Sequence, residues 1–313
     1  MIARVISSGP QTTVQDAGRG GMRHLGVPLS GAADRVSLAL SNAALGNPWG
    51  TPALECTLGG LVLEFTGATA IALGGADMTA TINDKALPLY QSISIRPGDR
   101  LKLGQAHVGM RCYIAIAGGV ASRDFLGSVS THLPARLGGI DGRALSEGDE
   151  INSADHPLGQ AVDIPTYLKT NMSHDWFLRA LPGPEYGDFS DDAQRCFFSQ
   201  NFVTDRRADR MGIRLTDKTV VAPQTAPMKS SAVFPGTVQC PPDGAPFLLL
   251  SDAQTLGGYP RIAQLIDADL PLAGQIRPGD RVWFLETKPE TAHQITIQRT
   301  TYLAGIMPGF QFT

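Results

Sequence analysis

Between Val14 and Asp34 the chain reads VQDAGRGGMRHLGVPLSGAAD, and residue types capable of chemistry are densest here. Arg19, Arg23 and His24 supply cationic or titratable groups, and Asp16 and Asp34 supply carboxylates. Gln15 and Ser30 add neutral polar groups, and Gly18, Gly20, Gly21, Gly26 and Gly31 are spread among them. No apolar residue recurs at helical or strand spacing, so burial of a hydrophobic face does not account for the pattern. Glycine permits positive φ and close approach to the main chain, which suits a loop moulded around an anion. A long surface loop with solvated charges is the other reading. His24, alone of six histidines, has glycine and arginine company, as a proton carrier or anion ligand near neutral pH would.

A second dense stretch, SDAQTLGGYP at 251–260, follows the apolar run Phe247 to Leu250. A strand there would hold Asp252, Gln254 and Thr255 rigidly, while Gly257 and Gly258 before Tyr259 would let a ligand approach. A tight turn with a packing tyrosine fits the same letters. Met228-Lys229 shares two residues with biotin attachment sites, but the flanks differ and a surface lysine accounts for it. The chain contains no GxxxxGK[ST] loop, HExxH, GxSxG elbow or strand-loop-helix GxGxxG. The candidate catalytic residues are therefore His24, Arg19, Asp252 and Tyr259. Candidate substrate or anion contacts are Gln15, Asp16, Arg23, Ser30, Gln254, Thr255, Gly257 and Gly258.

The elements that position these residues read as mostly strand. Ile2 to Ile6 is a short strand, and Ser30 caps a predicted helix from Ala32 to Leu45 with Val36, Leu40, Ala43 and Ala44 on one face. From Ala53 to Ala117, alternation and β-branched residues predict successive strands with turns at Asn83-Asp84 and Pro97-Gly98-Asp99. Residues 152–173 read as a polar linker, with a second β-rich unit beginning near Asp175. Ile95 to Arg100 and Ile276 to Arg281 both spell IRPGDR, each preceded by Leu-Pro-Leu, at Leu87 and at Leu270. The repeat predicts a duplicated β-rich domain with a strand, a PGD turn and a strand in each copy.

With 313 residues there is room for two cores, and Gly 35 with Pro 22 suits many short strands joined by tight turns. The net charge of −3 and the lack of a basic stripe argue against nucleic acid. Arg206, Arg207 and Arg210 are offset by Asp205 and Asp209. Cys56, Cys112, Cys196 and Cys240 are scattered and read as buried reduced thiols, with no metal site. No apolar run reaches membrane-spanning length, and no secretory leader is evident, so a cytoplasmic protein is expected.

The segments TVQDAGRGGMRHLGVPLSGAADR, IALGGADM, YIAIAGGV with FLGSVST, DRMGIRL, FPGTVQCPPDGAPFLLLSDAQTLGGYP and GQIRPGDRV occur in that order. Together they resemble the allophanate hydrolase subunit 2-like, biotin-dependent carboxyltransferase family, from about residue 5 to 285. That family includes the C-type component of bacterial ATP-dependent 5-oxoprolinase, the "kinase inhibitor antagonist" proteins and half of the urea carboxylase carboxyltransferase domain. The resemblance implies a mainly β chain of two cyclophilin-like β-barrel domains, expected at 1–165 and 166–313, with a few short helices. It implies a hydrolase subunit that opens 5-oxoproline to L-glutamate with ATP hydrolysis, ATP being shared with partner subunits. It also implies B-type (allophanate hydrolase subunit 1-like) and A-type partners in a hetero-oligomer, with no activity alone. The alternatives are a carboxyltransferase half-site served by biotin and acting on a urea-like amide, or a non-catalytic regulator that binds a partner protein. One departure stands out: Ser230-Ser231-Ala232 occupies the place where the family pattern has Ser-Glu-Gly.

Overall fold

The computed structural model describes residues 1–223 and 228–312. The chain divides into two compact units, one of residues 1–20, 30–172 and 301–311, the other of 21–29, 173–300 and 312–313. It is mainly β, as predicted, with four α-helices among the described residues.

The first unit contains β1 (Ala3–Ser8), β2 (Gln11–Gln15), α1 (Arg35–Ala43), β3 (Ala53–Thr57), β4 (Leu61–Phe65) and β5 (Thr69–Gly75). It continues with β6 (Thr81–Ile82), β7 (Lys85–Ala86), β8 (Ile93–Ile95), β9 (Arg100–Lys102), β10 (Arg111–Ile116) and β11 (Glu150–Ile151). One sheet runs β11-β1-β4-β9-β6-β7 and the other β2-β3-β10-β5-β8, with every pairing antiparallel. Val5, Leu61, Leu63 and Phe65 from the first sheet share a core with Leu54, Cys56, Ile71, Leu73, Ile114 and Ile116 from the second. The alternate residues of the second sheet, Ala53, Ala72, Tyr113 and Ala115, pack with Leu38 of α1. That sheet is thus covered on both faces, which is why β3 and β10 are buried at every position.

Several local expectations change. Val14 and Gln15 close strand β2 instead of opening a loop, because they pair with Leu54 and Ala53 of β3. Ser30 does not cap α1. Asp34 does, its Oδ1 accepting the Ser37 N–H at 2.9 Å, while Ser30 lies in the left-handed region at φ 53°. All nine residues of α1 are buried, so the helix is enclosed instead of carrying one apolar face. Residues 152–172 are not a free linker: Val162 N–H bonds Ala43 O at 3.1 Å, Thr170 Oγ1 reaches Asp34 at 3.4 Å, and Leu168 is buried. Cys56, Cys112 and Cys240 are buried free thiols, but Cys196 is partly exposed.

The second unit is built from β12 (Asp175–Pro182), α2 (Asp191–Ser199), β13 (Asn201–Thr204), β14 (Gly212–Thr216), β15 (Ser231–Ala232) and β16 (Thr237–Gln239). After these come β17 (Phe247–Leu249), β18 (Leu256–Gly257), β19 (Arg261–Leu265), α3 (Leu270–Ala273), β20 (Arg281–Glu286) and α4 (Pro289–Ala304), whose residues from 301 on belong to the first unit. Seven strands close a barrel in the order β12-β19-β16-β17-β14-β13-β20, with β12 and β20 parallel at the seam. β15 and β18 form a separate two-stranded ribbon. Phe197 of α2 stacks on Phe284 of β20 at 4.5 Å, and both are fully buried. Burying each such ring stabilises the fold by about 1.5–3 kcal/mol.

The two IRPGDR segments make the same turn. Gly98 and Gly279 have φ of 90° and 88°, where a side chain would be strained. Asp99 Oδ2 accepts the Arg96 N–H at 2.7 Å, and Asp280 Oδ2 accepts the Arg277 N–H at 3.0 Å. Each turn also makes backbone bonds to the end of a preceding strand, Phe65 in one unit and Thr204 in the other.

Candidate functional site

The glycine-rich stretch is divided between the units. In the first, Asp16 is a scaffold: its Oδ1 accepts the Gly18 N–H and Ser128 Oγ–H, each at 2.7 Å, and also the Ser130 hydroxyl. Its Oδ2 accepts the Val129 N–H at 2.7 Å. Gln15 is fully buried and donates to Thr131 O at 3.0 Å. Arg19 is also fully buried, its Nε donating to Phe125 O at 2.9 Å and its Nη2 to the carbonyls of Ser128 and Ser130. A positive charge buried this way is tolerated because carbonyl dipoles surround it. Together, Asp16 and Arg19 pin the segment 125–130 to the start of the stretch. Gly31 belongs to the same construction: at φ 80°, an added Cβ would meet the Gly18 backbone at 2.9 Å. Ser30 Oγ, beside it, is buried without a hydrogen-bond partner among the described residues.

In the second unit, Arg23 and His24 sit in a single 3-10 turn, Arg23–Leu25, ended by Gly26 at φ 78°. Arg23 is half-buried. Its Nη2 donates to the Val233 carbonyl and, at 3.4 Å, to Gln254 O, and its guanidinium lies 5.0 Å from the centre of the Phe234 ring. Burial pushes the Arg23 guanidinium below its ordinary value, since the charged form loses hydration. Its Nη1 is buried with no hydrogen-bond partner among the described residues. His24 is exposed, with Nδ1 2.9 Å from Gly21 O. A carbonyl only accepts, so Nδ1 carries the hydrogen in the neutral ring and Nε2 presents a lone pair to solvent.

The 251–260 stretch wraps the same region. Val233 N–H bonds Thr255 O at 3.1 Å, and the ribbon pairs Ser231 with Gly257 and Ala232 with Leu256. Gln254 donates to Gln239 Oε1 at 3.3 Å, and Gln239 in turn donates to Tyr259 O at 3.3 Å. An added Cβ at Gly257 would lie 2.3 Å from Gln239 Nε2, so this glycine makes room for a glutamine side chain. Gly258 has only the Met228 carbonyl nearby, at 3.7 Å from such a Cβ. Tyr259 is 47 % exposed. Asp252 faces inward instead, 2 % exposed, in a two-pronged ion pair with Arg210 at 2.9 and 3.1 Å.

Thus Arg23, Gln254, Thr255, Gly257 and Tyr259 come together on the second unit, around a glutamine that residue patterns alone do not single out. Gln239 lies in the segment FPGTVQC, where its strand alternation hides it. Arg261 is another residue that the sequence does not single out: its Nη1 donates to Ala232 O at 2.7 Å while Glu185 holds its other nitrogens at 2.5 and 2.8 Å. That pairing lowers the Glu185 carboxyl below its ordinary range. No cluster of three potential metal ligands occurs among the described residues, and no described helix is long and apolar enough to cross a membrane.

The model of the carboxyltransferase domain, subdomain A and B, matches residues 25–286. The chain is 37% identical over 297 residues to the C-type component of 5-oxoprolinase from Haemophilus influenzae, covering 95% of this chain and 94% of that one. It is 38% identical over 291 residues to the protein of the same name from Escherichia coli, covering 92% of each. The crystal structure of the K. lactis urea amidolyase superposes with a TM-score of 0.91 at 29% identity, over 97% of this chain and 20% of that one. On these matches the chain belongs to the carboxyltransferase domain family, subdomains A and B.

Proposed function

We propose that this chain is the C-type component of an ATP-dependent 5-oxoprolinase, opening the lactam of 5-oxoproline to L-glutamate together with A-type and B-type subunits in the cytoplasm. The observation that carries this reading is length-for-length correspondence with two proteins of that name, each covered by more than nine-tenths. Lactam opening needs donors where the amide oxygen gathers negative charge and a group that moves a proton at the departing nitrogen. Arg23 supplies the donor, preorganised by the Val233 and Gln254 carbonyls and the Phe234 ring. His24, through Nε2, accepts or returns the proton. Gln254, Thr255 and Tyr259 orient the ring, and Asp252, Asp16, Arg19, Gln15 and Ser30 act as positioning residues. ATP supplies the driving force when bound. This chain has no glycine-rich phosphate loop followed by lysine, so the nucleotide is assigned to a shared or partner site, and none of these roles depends on it.

A second reading, a carboxyltransferase half-site that receives its group from biotin, is favoured by the close superposition on urea amidolyase. Coexpression with A-type and B-type subunits separates the two. The first reading predicts ATP-dependent glutamate release from 5-oxoproline that is indifferent to avidin and bicarbonate, and none from this chain alone. A reaction that requires bicarbonate and is abolished by avidin would establish the second. An assembly that forms but turns over neither substrate would leave the chain a binding partner.

A further inference from the structure

We infer that a cleft of about 500 Å³ in the first unit binds a small carboxylate with an apolar body, a site separate from the groups assigned above. The cleft is built, not incidental. Its floor is Tyr90, only 5 % exposed, with its ring over Gly74, where an added Cβ would lie 2.4 Å from the ring. The Tyr90 hydroxyl accepts the Gly75 N–H at 2.8 Å and shares a hydrogen with Ser37 Oγ at 3.1 Å, so the ring is fixed and the hydroxyl is occupied. Burial raises that phenol above its ordinary range, which keeps it neutral.

Charge on the walls selects the ligand. The Lys169 ammonium lies 5.3 Å from the centre of the Tyr90 ring, half-buried, with no carboxylate partner among the described residues. Asp77 also lines the cleft, its Oδ1 accepting the Thr79 N–H at 2.7 Å, and its negative charge limits the site to a ligand with a single carboxylate. Leu89, Val108 and Met172 make the remaining surface apolar. A cation over an aromatic floor, with apolar sides and few hydroxyls, matches one carboxylate on a hydrophobic body. A phosphate would call for more donors than one ammonium and the hydroxyls of Thr79 and Thr170. Both Tyr90 and Thr79 hold left-handed backbone, at φ 59° and 47°, where glycine would be the unstrained choice.

The test uses the full chain and 4-fluorobenzoate, followed by fluorine and amide NMR. The expected result is saturable binding with a Kd of about 1 mM or tighter, with shifts at Leu89, Val108 and Met172. Lys169→Gln should weaken it tenfold or more, Lys169→Arg should retain it, and the uncharged 4-fluorobenzamide should not distinguish wild type from Lys169→Gln. Val108→Trp, which fills the cleft, should abolish binding and guards against a misfolded Lys169 variant. Absence of saturation, an affinity unchanged in Lys169→Gln, or shifts confined to other residues would overturn the assignment.

Discussion

Arg19 and Arg23 share one glycine-rich stretch and one side-chain chemistry, but their surroundings differ. Arg19 is fully buried and directs its guanidinium at the carbonyls of Phe125, Ser128 and Ser130. Arg23 is half-buried, braced on one edge by two carbonyls and an aromatic face. The first arrangement fixes a loop, and the second leaves the arginine partly exposed. Asp252 and Tyr259 repeat the contrast within the other stretch, one locked in an ion pair and one exposed. Residue type therefore does not separate scaffold from chemistry, whereas burial and partners do.

The contrast breaks most visibly at Arg19. Arg19→Ala removes a fully buried guanidinium and its bonds to the carbonyls of Phe125, Ser128 and Ser130, and should cost about 3 kcal/mol or more, read as a shift in the urea midpoint. An unchanged midpoint would remove Arg19 from the scaffold. Asp252→Ala should cost about 3 kcal/mol by removing the carboxylate that grips the buried Arg210 guanidinium, and Arg210→Met with Asp252→Leu should recover much of it. Were Asp252 a reacting group instead, activity would fall with stability intact.

The duplicated turns give a smaller, paired test. Asp280 is 2 % exposed and also accepts Trp176 Nε1–H at 2.8 Å, with His174 Nδ1 at 2.8 Å. Asp99 makes the same turn on the surface, where its hydrogen bonds lower its carboxyl below the ordinary range. Asp280→Asn should cost about 2 kcal/mol, while Asp99→Asn should leave the thermal midpoint within error. Equal losses would mean that the turn bond, not burial, sets the cost.

The smallest effect is at Glu185. Arg261 depresses its folded pKa below the ordinary 4.5, so its contribution is full above that value and fades as pH falls through the folded pKa. The stability difference between wild type and Glu185→Gln, about 1 kcal/mol at pH 7, should shrink below pH 4. A difference that grows on acidification would contradict the sign.

Much of this architecture is legible in the letters. The alternation in Leu61, Leu63 and Phe65 and the paired IRPGDR turns predict strands and a repeat, because period and turn chemistry are local properties. Strand β2 is not legible, since Thr12 and Thr13 carry no apolar alternation and their burial comes from pairing with β3. The cap on α1 is misread in sequence for a related reason: Ser30 suits an N-cap by type, but it is held at φ 53° and Asp34 accepts the Ser37 N–H instead. In the candidate site, Arg23, Gln254 and Tyr259 are visible as types, but Gln239 is not, because its role arises from the space left by Gly257. Ser231 lies in ribbon strand β15 opposite Gly257, so the departure expected from the resemblance falls beside the site.

Arg23, not Arg19, is the arginine that we place at the chemistry. That placement is tested most directly by turnover of Arg23→Ala in the assembled enzyme, with 5-oxoproline and ATP as substrates. We expect kcat to fall by about 10²-fold or more while the unfolding midpoint and subunit assembly stay near wild type. Wild-type kcat in a correctly assembled Arg23→Ala enzyme would contradict it.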